Sequence, residues 1–223
     1  MIAQLKGLPV IYKVGLELYL SADSNWVKAL AGSGARVFLD LKFHDIPNTV
    51  AQACTRAATL GVEFLTVHLS GGSQMLEAVD VRLHEARATG EILSRPKILG
   101  VSVLTSFHEE DWVSNVSHMA KVSSVRTIEE TVLHFADLAH HHPAVQGMVC
   151  SPKEIEPVKQ KYSDMFLMVP GIRLDGGASD DQARIMTPAE AKKAGASAIV
   201  VGRPITQASD PVKAVELFLQ ELL

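Results

Sequence analysis

The chain has 223 residues, 47% of them hydrophobic and 21% charged, which is enough for one sizeable core and ordinary for a globular protein. The formal net charge of −4 and the lack of a basic run give nucleic-acid binding no electrostatic support. No apolar run reaches the roughly 18 residues of a membrane span and the start has no secretory layout, so a single domain over residues 1–223 in the cytoplasm, with neither membrane nor nucleic-acid partners, is expected. Cys54 and Cys150 lie far apart, have no metal-ligand spacing and read as reduced thiols.

Strand-like runs alternate with helical periodicity along the chain, the pattern of βα units around a parallel sheet. Pro9 to Val14 reads as a strand running into Lys13-Val14-Gly15, and Leu16 to about Ala31 as the helix after it. Val37 to Lys42 is the next strand, followed by a helix from Pro47 to about Leu60 that Gly61 stops. Val62 to Leu69 is a third strand. Ser73 is placed to cap the helix running to about Thr89, with Leu76, Val79 and Leu83 as its buried stripe. Lys97 to Leu104 is a strand, and 107–125 is irregular with at most a short helix. Thr127 and Glu130 form a capping box ahead of Ile128, Val132, Phe135 and Ala139. Val145 to Cys150 is a strand, Pro152 to about Lys161 a helix, and Phe166 to Val169 a strand opening into Pro170-Gly171-Ile172-Arg173. Thr187 and Glu190 make a second capping box with Pro188 at the first helical position. Ser197 to Val201 is the last strand, and Asp210-Pro211 starts the terminal helix. The strands number seven, one fewer than a (β/α)₈ barrel needs.

The stretch from Val37 to Thr49 carries the densest chemistry. Side chains alternate along a strand, so Phe38, Asp40 and Lys42 are expected on one face, with i and i+2 roughly 6.5–7 Å apart. Asp45 follows in the turn, able to reach back or to reach a neighbouring molecule. Buried charges must pair, so a plain ion pair at a strand end is one reading. Other strand ends are polar too: Lys13, Thr105 with Ser106, Arg173, and Gly202 with Arg203. In α/β barrels the site lies at those ends, and the last loops often hold a phosphate. Arginine offers phosphate a planar fork of donors, and Gly171 and Gly202 allow close backbone approach. The segment Leu174 to Asp181 reads as a mobile lid. His140-His141-His142 closes a helix, where consecutive positions do not converge on a metal. His44 is expected to face away from the charges, His68 to stand at the rim, and Met75, Met148, Met165 and Met168 to fill core.

Asp40, Lys42, Asp45, Ile46, Pro47 and Thr49 together resemble the signature of the orotidine 5′-monophosphate decarboxylases, bacterial type. The resemblance implies an α/β fold of the TIM (β/α)₈ barrel kind. It implies decarboxylation of orotidine 5′-monophosphate to uridine 5′-monophosphate, the last step of de novo UMP synthesis, with no metal and no organic cofactor. Lys13, Asp40, Lys42 and Asp45 would form an alternating tetrad. Lys42 would be the proton donor, and Asp40 would stand near the leaving carboxylate. Asp45 and Thr49 would complete the site of a partner in a homodimer. Thr105 and Ser106 match pyrimidine contacts, while Arg173, Gly202, Arg203 and Gln182 match phosphate contacts. The family opens with one more βα unit, ending in a ribose-binding Asp. Only 12 residues precede Lys13, so that unit is expected to be missing. Asp23 follows Lys13 and does not fill the role. Two other readings use the same residues: a Mg²⁺-dependent sugar-phosphate decarboxylase or aldolase of the same barrel superfamily, and a non-catalytic phosphate-binding barrel remnant. The second lysine, the Ile46-Pro47-Asn48-Thr49 tail and Pro170-Gly171-Ile172-Arg173 favour the nucleotide enzyme over the first of these.

Overall fold

A computed structural model describes residues 1–119, 127–175 and 185–223, with backbone alone at 116–119. They fall into two compact units, one of Pro9–Val101 with Leu138–Gly147, the other of Met1–Leu8, Ser102–Asp137 and Met148–Leu223.

In the first unit, apolar runs stopped by glycine or charge make strands, and the longer periodic segments between them make helices. The order is β1 (Tyr12–Gly15), α1 (Leu16–Gly32), β2 (Val37–Phe43), α2 (Pro47–Ala58), β3 (Phe64–His68), α3 (Gly72–Ala88) and β4 (Lys97–Val101). The strands pair in sequence order, all parallel. Val37, Phe38 and Leu39 are all buried, as parallel strands covered on both faces require. Helix α2 packs against α3, and Val50, Ala51 and Cys54 of the one and Met75, Leu76 and Val79 of the other are all buried.

Three expectations change here. The helix from Leu16 is broken at Asp23, whose φ of 69° and ψ of 172° side chains rarely adopt. Asp23 Oδ1 accepts the Trp26 amide at 3.0 Å and so caps a second segment. Only that second segment carries a buried stripe, Val27 and Leu30, while Leu16, Leu18 and Leu20 of the first are exposed. Ser73 does not cap α3, which already begins at Gly72 without a side-chain cap. The strand expected to Leu104 stops at Val101.

The second unit is built from shorter strands. Its elements are α4 (Glu109–Met119), α5 (Ile128–His141), β5 (Gly147–Val149), α6 (Ile155–Lys161), β6 (Leu167–Val169), α7 (Pro188–Ala194), β7 (Ala198–Ile199), α8 (Arg203–Thr206) and α9 (Pro211–Glu221). The end of α5 and Gly147 cluster with the first unit. Strands β5, β6 and β7 run parallel in that order. Both capping boxes form, at Thr127 with Glu130 and at Thr187 with Glu190. A third box was not foreseen: the Ser151 amide donates to Glu154 Oε2 at 2.7 Å. The segment 109–119 is a full helix, and Glu109, Glu110 and Asp111 favour its N-terminus. Among the described residues, no helix is long and apolar enough to cross a membrane.

Candidate active site

Lys13, Asp40 and Lys42 meet at the ends of β1 and β2. The β1–β2 register sets Lys13 opposite Phe38 and Gly15 opposite Asp40. The Lys13 side chain runs forward along its strand to place Nζ 3.3 Å from Asp40 Oδ2. Gly15 keeps that path open, since a Cβ there would stand 3.1 Å from Lys13 Nζ.

Lys42 reaches the same carboxylate by a different route. Leu39 pairs with Leu65 and Phe43 with Val67, so four steps along β2 match two along β3. Within this bulge Lys42 has φ +51°. That left-handed conformation costs an ordinary residue about 1–2 kcal/mol. Strand alternation therefore does not extend to Lys42, and the expected shared face is replaced by a local bend that re-aims the side chain. Lys42 Nζ lies 2.8 Å from Asp40 Oδ1 and 2.9 Å from Oδ2.

Thr66, on β3, completes the arrangement. Its hydroxyl donates to Asp40 Oδ1 at 3.1 Å and accepts the Lys42 amide at 2.9 Å. Asp40 is only 8% exposed. Burial alone would push its carboxyl up, but Lys42, Lys13 and the Thr66 hydroxyl outweigh that and hold it below the usual carboxylate range. Two cations on one buried carboxylate make a field that is set before any substrate arrives.

Asp45 does not join this cluster within the chain. It is exposed, and its Oδ1 accepts the neighbouring Ile46 amide at 2.6 Å. Thr49, in the first turn of α2, is exposed as well. The exposed His44 ring tilts against His68, with centroids 5.4 Å apart. Burial, reinforced by His44 and Lys42 and opposed by Asp40, lowers the His68 pKa and favours its neutral form.

The remaining candidates lie in the second unit. Thr105 and Ser106 occupy a turn closed by the Phe107 amide on the Leu104 carbonyl at 3.1 Å, beyond the end of β4 rather than on it. Gly171 takes φ +82°, and after it the Arg173 amide donates to the Met186 carbonyl at 3.0 Å. Arg173 itself is 8% exposed, with Nη1 donating to the Ile172 carbonyl at 2.9 Å. Gly202 and Arg203 are exposed at the start of α8, and a Cβ on Gly202 would meet nothing within 4 Å. Gln182 and most of the expected lid lie outside the described residues.

A groove of about 690 Å³ runs along α2 and α3, past Pro47, Asn48, Ala51, Ser73, Glu77 and His142. None of the three charged residues lines it, so it is not the reacting centre. Among the described residues, no group of three or more His, Cys, Asp or Glu could hold a metal ion. Sequence reasoning missed Thr66 and Gly15. The available signal for Thr66 was a hydroxyl in the middle of an apolar strand, which burial obliges to find a partner.

Parallel strands alternating with helices, and a buried carboxylate held by two partly exposed lysines, define an α/β protein of the kind that places its chemistry at one edge of the sheet. The chain belongs to the family described as Orotidine 5′-phosphate decarboxylase / HUMPS, whose model matches residues 1–218. It is 44% identical over 202 residues to an orotidine 5′-phosphate decarboxylase of Neisseria meningitidis serogroup C, spanning 90% of this chain and 76% of that protein. It is also 44% identical over 211 residues to the enzyme of that name from Legionella pneumophila, spanning 94% and 86%. Among solved structures, it resembles the orotidine 5′-phosphate decarboxylase of Lactobacillus acidophilus with a TM-score of 0.77 and 39% identity, over 94% of this chain and 85% of that one.

Proposed function

We propose that this chain decarboxylates orotidine 5′-monophosphate to uridine 5′-monophosphate and CO₂, the last step of de novo UMP synthesis. The observation that carries the reading is the pair of lysine ammonium groups on one buried carboxylate, Lys13 and Lys42 on Asp40, in a chain of this family. Loss of CO₂ leaves an electron pair on C6 of the pyrimidine. Lys42 stabilises that developing charge and then gives C6 its proton, becoming a neutral amine that solvent reprotonates. Asp40 stands beside the departing carboxylate and holds both lysines in place. No metal or organic cofactor takes part.

Thr105 and Ser106 contact the pyrimidine, and Arg173, Gly202, Arg203 and Gln182 hold the 5′-phosphate. Asp45 and Thr49 serve the site of a second copy in a homodimer, so each tetrad takes its fourth charge from its partner. Their exposure supports this. The chain is a (β/α) barrel domain of the TIM kind, working in the cytoplasm.

The test is the ultraviolet absorbance change on mixing the protein with orotidine 5′-monophosphate in EDTA, beside Lys42→Ala. Turnover that survives EDTA and falls about 10⁴-fold or more in the variant is expected, since Lys42 supplies both proton and field. Turnover abolished by EDTA would instead favour a Mg²⁺-dependent enzyme. Binding of uridine 5′-monophosphate without turnover would favour the non-catalytic barrel.

A further inference from the structure

We infer that Thr66 is a positioning residue for the decarboxylation: one hydroxyl fixes both the Asp40 carboxylate and the piece of backbone that carries Lys42. The inference rests on the reaction proposed above and adds a residue to it.

Thr66 is 0% exposed and sits in β3 between Leu65 and Val67, which are equally buried. A threonine hydroxyl has one proton and two acceptor lone pairs. The proton goes to Asp40 Oδ1 at 3.1 Å, and a lone pair takes the Lys42 amide at 2.9 Å. That amide falls inside the break in β2–β3 register, between Leu39 and Phe43. A side chain therefore receives it where a regular ladder would offer a strand carbonyl. The same residue carries φ +51°, so the contact anchors the backbone where it departs furthest from a strand.

The carboxylate is filled from three strands. Oδ1 accepts Lys42 at 2.8 Å and Thr66 at 3.1 Å, while Oδ2 accepts Lys42 at 2.9 Å and Lys13 at 3.3 Å. A carboxylate has about four acceptor sites, so Thr66 takes the last one and stops the group rotating. With the hydroxyl gone, the part-buried Lys42 amide loses this acceptor, Asp40 gains a free direction and the bulge loses its anchor. The Lys42 ammonium then shifts relative to C6. A displacement of about 1 Å at a reacting group lowers rates on the order of 100-fold.

The experiment compares wild type, Thr66→Val and Thr66→Ser in steady-state turnover of orotidine 5′-monophosphate with EDTA present. Valine keeps the shape and removes the hydroxyl; serine keeps the hydroxyl. Thr66→Val is expected to lower kcat about 10–100-fold while KM moves less than about 3-fold, because the phosphate and pyrimidine contacts are untouched. Thr66→Ser is expected to stay within about 5-fold of wild type. If Thr66→Val does not fold, Thr66→Cys, with its weak donor and acceptor, takes its place. A kcat for the valine or cysteine variant equal to wild type would overturn the inference, as would a serine variant as slow as valine. Absence of turnover in the wild type would overturn the functional reading and this inference with it. An active wild type with an unaffected Thr66→Val removes this inference alone.

Discussion

The charges around Asp40 are gathered on one buried carboxylate, whereas the two arginines of the second unit differ from each other in exposure. Asp40 is buried and holds four short contacts to Lys13, Lys42 and Thr66. Arg203 stands exposed at the first residue of a one-turn helix, and Arg173 is buried against the Ile172 carbonyl. The difference follows from what each is asked to meet. Charge on C6 exists only as the bond breaks, so the groups that stabilise it must be in position beforehand. A phosphate arrives fully charged, so in the role proposed for it the exposed Arg203 needs no such burial.

The largest break in this contrast comes from Asp40→Asn. Removing the carboxylate leaves two ammonium groups facing each other, and kcat is expected to fall about 10²–10³-fold in the absorbance assay. The same variant tests the ionisation. The Asp40 pKa is depressed in the folded protein, so its stabilising contribution is complete above the unfolded value of about 4 and is lost as pH falls toward the folded value. Urea unfolding of wild type and Asp40→Asn is therefore expected to show a stability gap at pH 7 that narrows by pH 3. A constant gap would mean that ionisation of Asp40 is not its source.

On the arginine side, Arg203→Ala is expected to raise KM about 10–100-fold with kcat nearly unchanged, because the residue is exposed and its proposed role is to hold the substrate phosphate. Arg173→Ala is expected to raise KM and also to cost about 1–3 kcal/mol of stability, since it strips a buried carbonyl of its donor. If the two variants behave alike, exposure is not what separates them.

Gly15→Ala sharpens the picture at smaller scale. Gly15 has φ −91° and ψ −179°, which any residue can adopt, so the only change is a methyl near Lys13 Nζ. A drop in kcat of about 10-fold or less is expected, with the stability of the fold intact. Thr187→Ala is the control far along the chain from the cluster. It removes a capping box and is expected to cost about 1 kcal/mol in urea unfolding with no change in kcat.

Much of this molecule could be read from the chain. Local periodicity located the seven strands of the described residues, because apolar runs bounded by glycine need no distant partner to be recognised. Two capping boxes were equally legible, since Thr127 with Glu130 and Thr187 with Glu190 satisfy each other within one turn. The pairing of Asp40 with Lys42 was expected, but for a reason that the fold replaced. Alternation on a regular strand would have brought them side by side, and a bulge does so instead.

The tertiary structure alone decided the rest. Asp23 breaks its helix because only the second segment has a core to cover. Asp45 turns onto the Ile46 amide, a local alternative that the pattern Asp-x-Lys-x-x-Asp does not disclose. Gly15 matters because of where a neighbouring lysine folds. Thr66 acquires its partners from residues 24 and 26 positions away, across a break in strand register. The sequence by itself determined which chemical groups the chain owns and which short segments become strands and helices, because those depend on neighbours in the chain. Which donor fills which acceptor around Asp40 depends on how β1, β2 and β3 are aligned, and register is a property of the assembled sheet.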